Sequence, residues 1–187
     1  MKCKESSVDF PKPDIIDGTA YYVCASCGYV HEVENYRTYT PEERIAEFEY
    51  QHGLKLPDGF SDFAGLSGPW VVRLPPADAE TAKYYFGEGF YEIERIAGLD
   101  PDTFQSIFDS SSLTVEWGLP KELLLLEGDG HTWIALDYRN TTAEPTVIAI
   151  ETREYTWLPV ARNFQDFVLA LLPYESVYDA DGNVTLK

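Results

Sequence analysis

Apolar residues are concentrated in three short segments in the C-terminal half of the chain, Thr132–Tyr138, Thr146–Thr152 and Tyr155–Val160. In the first segment, Trp133, Ala135 and Asp137 alternate with Ile134, Leu136 and Tyr138. Short apolar runs of this kind, bounded by turn signals, are typical of β-strands. The links between the segments are short and polar, and Glu127–Gly130, just before the first, has the composition of a turn. The pattern therefore predicts strands joined as antiparallel hairpins.

Helical periodicity with recognisable ends occurs at two places. Thr40 can cap a helix whose first residue is Pro41, and Gly53 can end it in a left-handed conformation. A second helix is predicted after Asn163, a good N-cap residue, and Pro173 is expected to stop it. The apolar face of this second helix has the spacing i, i+3, i+4 and i+7 and consists of Phe164, Phe167, Val168 and Leu171.

The middle of the chain is less regular and predicts shorter elements. We expect strands at Trp70–Leu74 and Phe90–Ala97, a helix over residues 77–86, and a short helix that carries Leu113 and Trp117. The whole pattern predicts an α+β protein with a mostly antiparallel sheet and helices packed on it.

The N-terminal segment differs from the rest because it contains all three cysteines. Thr19–Val23 and Tyr29–Val33 are β-prone runs that flank a tight turn with two of these cysteines, which predicts a small β-hairpin knuckle. We therefore divide the chain into a zinc-ribbon-like or degenerate knuckle (residues 1–38), a main domain (residues 39–173) and an acidic C-terminal tail (residues 174–187).

The knuckle raises the question of metal binding. Cys24 and Cys27 are spaced as two zinc ligands on a turn, and a structural zinc site requires four ligands. Cys3 is the expected third ligand and His31 the fourth, while Ser6 stands where a second Cys-x-x-Cys pair would place a cysteine. The segment is thus either a structural Zn²⁺ site of three cysteines and one histidine or a decayed ribbon without metal.

The charge of the chain narrows the class of partner. There are 32 acidic and 14 basic residues among 187, a formal net charge of −18. A polyanion such as DNA would be repelled, whereas a basic protein would be attracted.

The N-terminus and the cysteine count indicate the compartment. The first nine residues are polar, without the apolar region of a signal peptide. The chain has three cysteines, an odd number, which argues against the paired disulfides of a secreted protein. We therefore expect a cytoplasmic protein without a membrane segment.

Five motifs stand out in the second half of the chain, namely Trp117–Pro120, Gly128–Arg139, Glu144-Pro145, Val147-Ile148 and Ala161–Leu172. Together they resemble the SUKH superfamily, which includes bacterial immunity proteins and the Smi/Knr cell-wall regulators of yeast. The similarity covers roughly residues 40–172, and Leu56-Pro57 resembles the N-terminal half of the family. The resemblance implies an α+β domain without catalysis, whose bacterial members bind and block a toxin, often a nuclease.

Catalysis also finds little support in the residues themselves. His131 and Asp137 lie six positions apart on one predicted strand, about 20 Å at the rise of a β-strand, and no nucleophile with a base stands nearby.

The same residues are given structural or binding roles. Gly128–His131 is expected to shape a turn, and Trp117 and Trp133 are expected in the core. The predicted partner-binding residues are Asp129, His131, Asp137, Tyr138 and Arg139, with Tyr138 and Arg139 exposed at a strand end. The acidic side chains of Glu127, Asp129, Asp137 and Glu151 are candidates for an acidic patch.

Our leading hypothesis is a non-catalytic immunity-type protein that neutralises a cognate, basic toxin, such as a nuclease, by direct binding. The alternative is an intracellular regulatory scaffold without a toxin partner. A small hydrolase is the third hypothesis, and a structure without a pocket that gathers His131 and acidic side chains would remove it.

Overall fold

A computed structural model of the chain describes residues 13–16, 19–23, 30–33, 37–75, 84–87, 89–103 and 105–186. The chain divides into two compact units, residues 1–40 and 41–187. The described part of the first unit forms an antiparallel sheet in the order β1 (Asp14–Ile16), β2 (Thr19–Val23) and β3 (Val30–Val33). The pairing of β2 with β3 confirms the predicted N-terminal hairpin.

The helices of the second unit include the two whose start the sequence predicted from its capping residues. The helices whose bounds the structure gives are α1 (Pro41–His52), α2 (Phe60–Phe63), α3 (Ser110–Glu116) and α4 (Phe164–Leu169), with 3₁₀ turns at Ile107–Asp109 and Tyr174–Ser176. Of the predicted helix over residues 77–86, residues 84–86 are helical and the rest lies outside the described residues. Glu42 and Glu43 lie in the first turn of α1, where they complement the positive end of the helix dipole. Gly53 follows the helix with a φ of 65°, as predicted. In α4, the Asn163 side chain accepts a 2.7 Å hydrogen bond from the Asp166 amide, which confirms the predicted cap.

One antiparallel sheet of the second unit has the order β10-β4-β5, with β4 at Ser67–Arg73, β5 at Phe90–Arg95 and β10 at Leu172–Pro173. The strand β10 corrects the predicted end of the last helix. The helix ends at Leu169, and Leu172–Pro173 pairs with Val71 and Trp70 of β4. Pro173 thus forms part of a short strand rather than the stop signal.

The other antiparallel sheet has the order β6-β7-β8-β9 and consists of Leu123–Gly128, Thr132–Asp137, Thr146–Glu151 and Thr156–Ala161. It confirms the predicted hairpins of the C-terminal half. The strand β6 extends to Gly128, so the predicted turn shortens to the residues Asp129–His131 between β6 and β7.

Both faces of this four-stranded sheet are covered. One face joins the main core, in which Ile134 and Leu136 of β7 cluster with Phe164 and Phe167 of α4. On the other face, Trp133 is 5% exposed and clusters with apolar residues from β6, β8 and the segment after α3. Its burial confirms the predicted core position. A strand covered on both faces is buried at nearly every position, which is why the residues of β7 from Trp133 to Leu136 are all apolar.

The acidic C-terminal segment also contributes to the second unit. Val177 is fully buried beside Val71 and Phe90, and Tyr178 pairs with Val184 in an antiparallel bridge around Asp181-Gly182. The tail therefore covers the outer part of the β10-β4-β5 sheet.

Candidate functional site

The turn between β6 and β7 is held by its own aspartate. One carboxylate oxygen of Asp129 accepts hydrogen bonds of 2.9 Å from the backbone amides of His131 and Thr132. Gly128 is required because an added Cβ would lie 2.3 Å from the carbonyl oxygen of Thr132. These contacts leave the side chain of His131 exposed at the end of the sheet.

Aromatic side chains surround His131. Its ring stacks on Tyr85 with a centroid distance of 6.0 Å and meets Trp117 edge-on at 5.9 Å. Tyr84 contacts Tyr85 at 5.1 Å and is 80% exposed. The hydroxyl of Tyr155 lies beside Gly118, the residue that follows Trp117, and Tyr155 is 50% exposed. We call this set, Tyr84, Tyr85, Trp117, His131 and Tyr155, the aromatic face.

A groove with a volume of about 670 Å³ adjoins the aromatic face, and the two share Tyr85. Its apolar walls include Phe86, Phe90 and Tyr91. The acidic residues that line it come from β5, the end of β6 and the following turn, and they are Glu92, Glu94, Glu127 and Asp129. None of the described residues that line the groove is Lys, Arg or His.

Glu127 is the acidic residue whose pKa is raised in this environment. Burial is the main cause that raises its pKa, to about 7, and the charges of Glu94 and Asp129 act in the same direction. A hydrogen bond from the hydroxyl of Tyr91 acts against this rise. One oxygen of Glu127, Oε2, is buried without a hydrogen-bond partner in the structure.

The other predicted binding residues lie at the opposite end of β7. Arg139 forms an ion pair of 2.7 Å with Asp137, and its guanidinium lies 4.5 Å from the ring centre of Trp157. The hydrogen bond from the Arg139 side chain is the main cause that lowers the pKa of Asp137. The structure therefore separates the predicted set into two groups, one at each end of β7.

Two sequence-based expectations about exposure are wrong. Tyr138 was expected at the surface but is 4% exposed, because its ring belongs to the main core and its hydroxyl bonds to the carbonyl of Lys55 at 2.7 Å. Glu151 was considered for an acidic patch but is fully buried. Its carboxylate accepts hydrogen bonds from the amides of Arg153 and Glu154 and thereby holds the β8–β9 turn. Of the acidic set, Glu127 and Asp129 meet in the groove, while Asp137 lies apart.

The structure does not assemble the acid–base pair that was considered for His131. Asp137 lies at the far end of β7, and His131 is not among the described residues that line the groove. Within the described ranges, no group of three or more His, Cys, Asp or Glu side chains is arranged to hold a metal ion. The predicted zinc ligands Cys3, Cys24 and Cys27 lie outside the described residues, as does the side chain of His31.

Several residues of the site were not found from the sequence. The pair Tyr84-Tyr85 fell in a predicted helix, and nothing in its spacing connected it with His131. Glu92 and Glu94 occupy alternate positions of a predicted strand, a pattern equally typical of a solvated face. Only the packing of β5 beside β6 brings these carboxylates close to Glu127.

Comparison with known proteins gives the class of the domain. The model of the SMI1 / KNR4 family (SUKH-1) matches residues 40–170. The chain belongs to this family, as the motifs between Trp117 and Leu172 indicated. No curated protein and no solved structure gave a significant match. No described helix is long and apolar enough to cross a membrane.

Proposed function

We propose that this chain is a non-catalytic, immunity-type protein that neutralises a cognate toxin by binding it directly in the cytoplasm. The observation that carries the proposal is the aromatic face, which joins exposed tyrosines to a half-buried tryptophan around His131. Tyr and Trp dominate the binding energy of protein interfaces, because they contribute large contact areas at a low cost in conformational entropy.

The charge of the chain supports a basic partner. A net charge of −18 increases the association rate with a positively charged protein and opposes binding to nucleic acid. Nuclease toxins carry basic surfaces that bind phosphates, so they fit this complementarity. Asp129 places a carboxylate at the junction of the aromatic face and the groove.

The two ends of β7 are not equivalent in this proposal. Asp129 and His131 lie at the aromatic face and are expected to contact the partner. Arg139 and Asp137 satisfy each other in an ion pair, and Tyr138 is buried, so we assign no principal contact to them.

The test uses the full chain and the toxin domain encoded beside its gene. Co-expression should protect cells from the toxin, and calorimetry should give a stable complex. The double variant Tyr84→Ala/Tyr155→Ala should bind at least about tenfold more weakly, as is usual when interface anchors are removed. Tyr50→Ala is the matched control, because Tyr50 is 90% exposed on α1, outside the aromatic face.

Distinct results would contradict the proposal. A chain that neither binds nor protects against the adjacent toxin, yet copurifies with an endogenous protein through the same tyrosines, would be a regulatory scaffold. Equal loss of toxin binding in Tyr50→Ala and in the double variant would remove the aromatic face as the binding surface.

A further inference from the structure

The groove beside the aromatic face has a composition that selects for a particular kind of group. Phe86, Phe90 and Tyr91 provide aromatic walls, and carboxylates from two strands and a turn line the same space. An apolar ligand would leave these carboxylates without a partner, and an anion would be repelled by them. The groove therefore fits a cation with an apolar stem.

The carboxylates in the groove also lack compensation within the described structure. The described lining contains four acidic residues and no basic one, and the buried Oε2 of Glu127 has no hydrogen-bond donor. Like charges at close range destabilise one another unless a proton or a cation intervenes. In the free protein, protonation of Glu127 partly relieves this repulsion, since the pKa of Glu127 is raised to about 7.

We propose that the groove receives an arginine side chain of the partner protein, with its guanidinium among Glu94, Glu127 and Asp129. This inference rests on the proposed function and adds the chemistry of the partner's contact residue. Arginine fits better than lysine because its planar guanidinium stacks on aromatic rings and donates paired hydrogen bonds to carboxylates. The groove adjoins the aromatic face at Tyr85, so one partner surface can reach both.

The test does not require the toxin. Acetyl-arginine amide is titrated into the full chain at constant ionic strength and followed by NMR. Acetyl-citrulline amide, which has nearly the same shape without the charge, is the matched probe, and acetyl-lysine amide tests the preference for guanidinium. We expect saturable shifts at the amides of Glu94 and Glu127 with the arginine probe only, with weak, millimolar affinity, as befits a single side chain.

Conservative variants identify the site of binding. The variant Glu94→Gln/Glu127→Gln should bind the arginine probe at least tenfold more weakly. Glu144→Gln removes one exposed carboxylate in the loop between β7 and β8 and should leave the affinity unchanged. NMR spectra of both variants without probe establish that each is folded.

The pH dependence provides a second measurement. The titratable groups that act on Glu127 are Tyr91 and Glu94 from β5 and Asp129 from the turn. Because the arginine probe competes with the proton on Glu127, its affinity should be up to about tenfold lower at pH 6 than at pH 8. Glu127→Gln alone should largely remove this difference.

Equal shifts from the citrulline probe, equal affinity for the lysine probe, or unchanged binding in Glu94→Gln/Glu127→Gln would each overturn the inference. Its failure is separable from that of the proposed function. A toxin that binds Glu94→Gln/Glu127→Gln normally but not Tyr84→Ala/Tyr155→Ala would leave the immunity function in place without the groove.

Discussion

Trp117 occupies the space in which a side chain on Gly130 would lie. A Cβ added to Gly130 would fall 2.1 Å from Cζ2 of the indole, and Gly130 has a φ of 97°. Gly130→Ala should therefore displace Trp117 and lower the free energy of unfolding by about 2–4 kcal/mol, as other overpacking and strain mutations do. Chemical denaturation at neutral pH measures the loss.

A second glycine with a positive φ, but with free space around it, is the control for this effect. Gly53 has a φ of 65° and no neighbouring atom within 4 Å of an added Cβ. Gly53→Ala should cost only the backbone strain, about 1 kcal/mol. Equal losses in the two variants would mean that the contact with Trp117 does not constrain the turn.

The hydroxyl of Tyr138 connects the end of β7 to the segment after α1. Because it donates a 2.7 Å hydrogen bond to the carbonyl of Lys55, Tyr138→Phe should lower the free energy of unfolding by about 1–2 kcal/mol. Tyr50→Phe removes an exposed hydroxyl and should change stability by less than about 0.5 kcal/mol. A Tyr138→Phe variant as stable as the wild type would show that water replaces this bond without cost.

Individual helices and strands were predicted from the sequence more accurately than the long-range pairing between them. The cap at Asn163 and the hairpins after Gly130 depend on short-range rules, and both are present. The helix end was misplaced because Leu172–Pro173 pairs with β4, about a hundred residues earlier. No local signal reports such long-range pairing, and proline is compatible with an edge strand.

The site was predicted only in part for the same reason. Asp129 and His131 were identified from a turn motif, but Tyr85 and Glu94 join them through tertiary packing. Tyr138 lies at the end of a predicted strand and was therefore predicted to be exposed, whereas the segment at Lys55 packs against it. Exposure at a strand end depends on what packs over that end, which periodicity does not describe.

The N-terminal cysteines carry a prediction of their own. If Cys3, Cys24, Cys27 and His31 form a zinc site, protein purified without chelator should contain about one zinc ion per chain. Cys24→Ser should remove the metal, because serine is a poor ligand in such sites. His52→Gln, a change on α1, should retain it. A zinc content near zero in the wild type would establish the segment as a degenerate ribbon.

Glu127 should make the stability of the protein depend on pH in a defined direction. Its pKa is about 7 in the folded state against 4.5 as the ordinary value, so the folded state binds more protons between these values. The contribution of Glu127 to the free energy of unfolding is present at low pH and is lost as the pH rises through 7.

The variant Glu127→Gln tests this dependence, because it abolishes the ionisation while keeping an acceptor for the hydroxyl of Tyr91. The stability of the variant relative to wild type should therefore increase by about 1–2 kcal/mol between pH 5.5 and pH 8. Denaturation of both proteins at the two pH values gives this double difference, and Glu144→Gln controls for the loss of one negative charge. A relative stability that stays constant, or that falls as the pH rises, would mean that Glu127 ionises in the folded protein without this cost.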